Sequence, residues 1–253
     1  VLFPGLCSIT FRQFDVAGVL DLAVGAGLTC VEWGGDVHVP VGDLTTAAEV
    51  AQRTADAGLV VASYGSYYRA GVHDDAADVI ATAVALGAPR IRVWAGDQGS
   101  ADATPLDRLR VVAALADTVA RADDAGVQIG TESHGGTLTD TTESTRRLLA
   151  EVDEVVGART LTTYWQPSVD ASEDAAIAEL AALVDRVSTV HAFSWWPGTT
   201  RLPLRSRHAL WQRALDVVRG AGGDHDVLLE FVPGDDPELL TGEATTLRHW
   251  LSA

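Results

Sequence analysis

The sequence predicts a (β/α)8 barrel from three observations: a length of 253 residues, a helix–glycine–apolar phrase repeated along the chain, and eight apolar runs of strand length. That length is usual for a one-domain α/β barrel, and the core can be large without covalent staples. The phrase appears as Ala26-Gly27-Leu28, Ala57-Gly58-Leu59, Leu86-Gly87-Ala88, Ala125-Gly126-Val127, Val156-Gly157-Ala158 and Ala221-Gly222-Gly223. Glycine takes the left-handed conformation at no steric cost and so ends a helix. The short apolar runs that follow suit strands buried on both faces. Strands are expected near 5–9, 28–32, 59–64, 90–94, 127–132, 160–166, 187–193 and 226–231, each followed by a helix, with residues 1–253 as a single domain. Eight such units make a parallel sheet and are enough to close it. An open doubly wound sheet would want a glycine-rich phosphate turn such as GxGxxG, and none is present.

Helix starts are legible in the same way. Thr104-Pro105-Leu106-Asp107 offers an N-cap, a proline at the first helical position and an acid in the first turn. Asp140 with Glu143 is expected to form a capping box, and Asp236-Pro237-Glu238 opens the last helix. In the long helix after Thr104, Leu109, Val112, Leu115, Ala116 and Val119 are expected to share the core-facing side.

Composition excludes several chemistries. The net charge of −17 argues against nucleic acid as a partner, because that binding draws on Lys and Arg neutralising phosphates. No apolar run reaches the roughly 18 residues a membrane-spanning helix needs, and the first residues do not read as a secretory signal, so the expectation is a cytoplasmic protein. All 18 basic residues are arginine, which rules out Schiff-base chemistry through a lysine amine. Two cysteines, Cys7 and Cys30, do not indicate a disulfide framework.

In a barrel strand alternate residues point inward, and those at the carboxyl ends line the catalytic mouth. Strand five, Val127–Glu132, alternates apolar residues with Gly130, Glu132 and then His134. Strand four puts Arg92 and Trp94 on one face, strand six ends at Gln166, strand seven carries His191 in phase, and strand eight ends at Glu230. Glu132, Gln166, His191 and Glu230 thus come from four neighbouring strands at similar depth. Two carboxylates, an imidazole and an amide oxygen would suit one divalent metal, with Mn2+ favoured and Mg2+, Co2+ or Zn2+ as alternatives. A lone strand-end Glu is more often just hydrogen-bonded and a lone strand His a satisfied core residue; four in phase are harder to explain that way. Glu32, His38, Tyr64, Trp94, His134, Trp195, Trp196 and Arg201 also fall at or beyond strand ends and are candidate substrate-binding residues. An aromatic mouth suits a small sugar or polyol-like substrate, whereas Trp33 and Trp165 are out of phase and would equally pack beneath the outer helices.

At these residues the sequence resembles the xylose-isomerase-like superfamily of sugar isomerases and epimerases, through Glu32-Trp33-Gly34-Gly35, Glu132-Ser133-His134-Gly135-Gly136, His191 and Leu229-Glu230-Phe231. The resemblance implies a metal held by Glu132, Gln166, His191 and Glu230. It also implies proton transfer at a carbon beside a carbonyl through an enediolate, with Glu132 and Glu230 as acid and base. Two positions depart from it: the strand-six ligand is usually Asp with a His three residues on, where this chain has Gln166 and Val169, and no Arg closely follows His191. The first expectation is therefore an isomerase or epimerase of a sugar or sugar derivative. A lyase on a keto-sugar or sugar acid, through dehydration, decarboxylation or C-glycoside cleavage, is the alternative, and a non-catalytic sugar-binding barrel the third. A homo-oligomer is compatible with all three.

Overall fold

The computed structural model describes residues 1–252. Eight parallel strands close into a barrel: β1 Leu2–Cys7, β2 Cys30–Gly34, β3 Val60–Arg69, β4 Arg90–Trp94, β5 Gln128–Glu132, β6 Thr162–Trp165, β7 Val187–Ala192 and β8 His225–Leu229. Each strand pairs with its neighbours in chain order, and β1 pairs with β8 to complete the circle. The helices α1 Val16–Gly25, α2 Leu44–Asp56, α3 Ala77–Leu86, α4 Pro105–Asp124, α5 Thr142–Val156, α6 Glu173–Leu183, α7 His208–Ala221 and α8 Pro237–Leu251 alternate with them. A two-stranded hairpin, Ser194–Trp195 with Arg201–Leu202, is inserted between β7 and α7. No helix is long and apolar enough to cross a membrane among the described residues.

The glycines end helices as the repeated phrase predicts: Gly87 and Gly157 cap α3 and α5 with φ of 67° and 78°. Thr104 and Asp107 form a reciprocal capping box at α4. At α5 the expectation needs correcting. Thr141 is the N-cap, accepting from Ser144 N, while Asp140 is turned away to accept from Ser100 N at 2.9 Å. Leu109 is also misassigned: it is 63% exposed. The buried position beside it belongs to Arg108, whose guanidinium reaches Glu151 and Ser144 on α5.

The first strand runs earlier than expected, because Leu2–Leu6 pairs in register with His225–Leu229. The chain then leaves the sheet at Ser8, whose Oγ accepts from Gly34 N at 2.8 Å. The main core lies between barrel and helices, and Trp33 and Trp165 belong to it. Trp33 Nε1 donates to Thr54 Oγ1 of α2 at 3.1 Å, and Trp165 packs edge-on against Trp211 of α7.

Candidate active site

Strand alternation builds the interior from the bottom upward. Arg90 and Asp226 sit at the floor, joined at 3.0 Å. One layer higher Arg92 lies level with Gly65 of β3 and Gly130 of β5, where no side chains compete for the space. Above them, at the carboxyl ends, Glu132, His191 and Glu230 converge, all buried, with ligand atoms that lie within 4.8 Å of one another. Glu230 is one residue past β8 and is kept in the ladder by its N–H donating to Ala192 O at 3.2 Å.

His191 is the hub of this cluster. Its Nδ1 is 3.1 Å from Gln166 Oε1, 3.4 Å from Glu230 Oε2 and 3.8 Å from Glu132 Oε1. Gln166 presents oxygen rather than nitrogen because its Nε2 is committed to Ser133 O at 3.0 Å. Three oxygens therefore face one ring nitrogen. Burial pulls the imidazole pKa down, but Glu230, then Glu32 and Glu132, push it up to about 9, so a proton holds the oxygens together. A divalent cation at that point would meet three oxygens and a nitrogen, so the donor set fits one. The charge also fits. Buried Glu32, Glu132 and Glu230 face one buried arginine, Arg92, so with His191 neutral the formal excess is two negative charges.

The two glutamates of the set differ. Glu132 Oε2 accepts from Trp94 Nε1 at 2.6 Å and from Arg92 Nη1. Burial raises the Glu132 pKa, but Arg92, His191 and the Trp94 N–H outweigh it and hold it below the usual range. Glu230 meets no guanidinium; among the described residues its ion-pair partner is His191. Cys7 lies near Glu32 and His191, and burial, then Glu32 and Glu230, raise its thiol well above the ordinary value.

The rim divides the remaining candidates. Trp94 stacks on His134 with ring centroids 4.7 Å apart, and Arg69 lies 4.0 Å from the Trp94 ring centre. Trp195 stacks between Phe193 and Phe231; Arg201 covers Phe231 at 4.5 Å and ion-pairs with Asp235. Trp196 is exposed at the hairpin turn beside Arg207. Two residues expected at the mouth are not there. Tyr64 is fully buried, and its hydroxyl donates to Val39 O at 2.9 Å; it shares the outward side of its partner Trp33, because a register shift at Val31/Glu32 aligns Ser63 with Glu32 instead. His38 is buried with Nε2 against Phe14 O and its ring edge-on to Trp33. Glu32 lies beneath the cluster, held by Ser63 and Arg92, and not at the surface of the mouth. Sequence reading named neither Arg92 nor Ser63 as site residues. The signal for Arg92 was present, a charge in phase with Trp94 in a short strand, whereas Ser63 depends on the register shift.

A family model described as xylose isomerase-like TIM barrel matches residues 20–158. No curated protein matches the chain. Among solved structures, the probable 3-DHS dehydratase AsbF of petrobactin synthesis from Bacillus anthracis superposes with a TM-score of 0.79 at 19% identity, over 98% of this chain and 99% of its own. D-psicose 3-epimerase with D-tagatose, from Clostridium cellulolyticum H10, gives 0.70 at 14% identity, over 99% and 98%. A xylose isomerase-like TIM barrel protein from Mycobacterium smegmatis in complex with magnesium gives 0.72 at 14%, over 99% and 97%.

Proposed function

The chain belongs to the xylose isomerase-like TIM barrel family, and from that premise we propose that it is a divalent-metal-dependent isomerase or epimerase of a sugar or sugar derivative. The observation that carries this reading is the convergence of Gln166 Oε1, Glu230 Oε2 and Glu132 Oε1 on His191 Nδ1 at one barrel mouth. Glu132, Gln166, His191 and Glu230 would hold the metal, with Mn2+ the first choice for an oxygen-rich set. When bound, it supplies a Lewis acid that polarises a substrate carbonyl. The chain's own residues do the rest. Glu230, which no guanidinium hydrogen-bonds, is placed to take a proton from the carbon beside that carbonyl, and Glu132 is the second carboxylate available to return one. Trp94, His134, Trp195 and Phe231 make the rim aromatic, in keeping with a small-molecule site of aromatic walls and a few placed polar groups.

A lyase reading is favoured by one specific observation. Both donors on Glu132 Oε2 compete with its use as a proton carrier, and elimination needs one base where epimerisation needs two. Product analysis separates the readings. Mn2+-loaded protein incubated with D-tagatose, D-psicose and related ketoses is expected to give products of unchanged mass; loss of water from a ketose, or of water or carbon dioxide from a sugar acid supplied in parallel, would establish the lyase. Glu230→Gln should lower turnover by about 10²-fold or more. A Glu230→Gln variant as active as the parent would overturn the assignment of the base.

A further inference from the structure

Under the metal-facing atoms lies a second tier of buried charge that the proposed chemistry does not use. Glu32 of β2 and Arg92 of β4 are 1% and 2% exposed, and Arg92 Nε donates to Glu32 Oε1 at 3.1 Å. Ser63 Oγ fixes the other Glu32 oxygen at 2.7 Å. Each member of the pair also touches one member of the candidate metal set. Arg92 Nη1, with Trp94 Nε1, occupies Glu132 Oε2, so that Oε1 is the oxygen turned toward His191 Nδ1. Glu32 Oε1 lies 3.8 Å from His191 Nε2, the ring nitrogen that has no hydrogen-bond partner.

The plain alternative is that this pair merely fills the barrel. Filling alone does not call for charge: two ions buried together are hard to stabilise, and apolar side chains of similar volume serve as well or better. The neighbouring strand is also adapted to the pair. A Cβ at Gly65 would lie 2.8 Å from Glu32 Oε1 and 3.0 Å from Arg92 Nη2. Gly65 has no positive φ, so the glycine is explained by space and not by backbone conformation.

We propose that Glu32 and Arg92 are positioning residues for the metal site, Arg92 presenting Glu132 Oε1 as a fixed ligand and the Glu32 carboxylate, 3.8 Å from His191 Nε2, favouring the ring proton on that nitrogen so that Nδ1 offers its lone pair. This rests on the reading that Glu132, Gln166, His191 and Glu230 hold a divalent ion. Hydrogen-bond partners behind metal ligands fix ring tautomer and ligand orientation, and their loss usually lowers metal affinity 10- to 100-fold.

The test is calorimetric titration of Mn2+ into the chelator-stripped protein. Glu32→Gln and Arg92→Lys each keep approximate shape and are expected to weaken Mn2+ binding by about 10-fold or more. Trp94→Phe removes the N–H that Glu132 Oε2 accepts from, with part of the indole at the rim and no buried charge, and is expected to weaken it several-fold; it remains informative where a buried-charge variant does not fold. Asp226→Asn removes a buried charge at the floor, and as the control for general loosening it should leave Mn2+ affinity at the parental value. A second readout follows the tautomer: in Mg2+-loaded, nitrogen-15-labelled parent, His191 should carry its proton on Nε2, and that preference should fall in Glu32→Gln. Folded Glu32→Gln, Arg92→Lys and Trp94→Phe variants that bind Mn2+ as tightly as Asp226→Asn would overturn the positioning roles while leaving the metal site standing. A parent that binds no Mn2+ would overturn the metal reading and this inference with it.

Discussion

Gln166 donates through Nε2 to the Ser133 carbonyl, and that bond decides which end of the amide faces His191. The same dependence of a free atom on its tethered neighbour governs Glu132, whose Oε2 is engaged and whose Oε1 is left for other work. At this scale the two cysteines yield a direct prediction. Burial, then nearby Asp226, pushes the Cys30 thiol up to about 12, Cys7 is raised as well, and neither forms a disulfide. Reactivity follows the thiolate and access to it. Neither cysteine of the folded protein should react with a chromogenic disulfide reagent at pH 8, and both should react once denaturant is added. Rapid reaction of either thiol in the folded protein would contradict the packing described for β1 and β2.

The elements owe their ends to local chemistry, which is why the sequence announced most of them. Thr104 Oγ1 accepts from Asp107 N at 3.2 Å and Asp107 Oδ2 accepts from Thr104 N at 3.1 Å, a reciprocal pair between residues three apart. Thr104→Ala should destabilise the protein by about 1 kcal/mol, seen as a lowered midpoint in urea unfolding; an unchanged midpoint would mean that the start of α4 frays at no cost. What escaped sequence reading was non-local. Asp140 and Glu143 have capping-box spacing, but Asp140 is drawn away by Ser100 N, forty residues off. Tyr64 and Ser63 exchanged roles because of a register shift between β2 and β3, which no count along one strand reveals. By contrast the phase of Glu132, Gln166, His191 and Glu230 could be read within each strand, because the register shift between β6 and β7, at Thr163/Tyr164, falls below the residues that converge.

At the scale of the whole molecule the barrel is plugged at its bottom. Arg90 donates to Asp226 and Thr189, each at 3.0 Å, and to Gln128 at 3.0 Å, tying β4, β5, β7 and β8 together at the floor. Burial raises the Asp226 pKa despite the pull of Arg90. Removing the guanidinium would therefore strand a charge that is already poorly solvated. Arg90→Met should cost about 3 kcal/mol, the low end for a broken buried pair, since both side chains keep a little exposure. The double variant Arg90→Met with Asp226→Leu should recover most of that loss in the same unfolding assay; a double variant less stable than Arg90→Met alone would mean the plug is more than a compensated pair. The plug also bears on isotopes. With the floor closed, and Glu32 and Arg92 filling the tier above it, a hydrogen lifted from a substrate in the mouth has one way out to bulk water, past that substrate. Under the proposed function Glu132 delivers a proton already exchanged with solvent while the one lifted by Glu230 stays shielded, so in heavy water the first product should carry one deuterium and recovered, unreacted substrate almost none by mass spectrometry. Deuterium entering unreacted substrate as fast as product forms would mean that water reaches Glu230 from below, and that the well leaks.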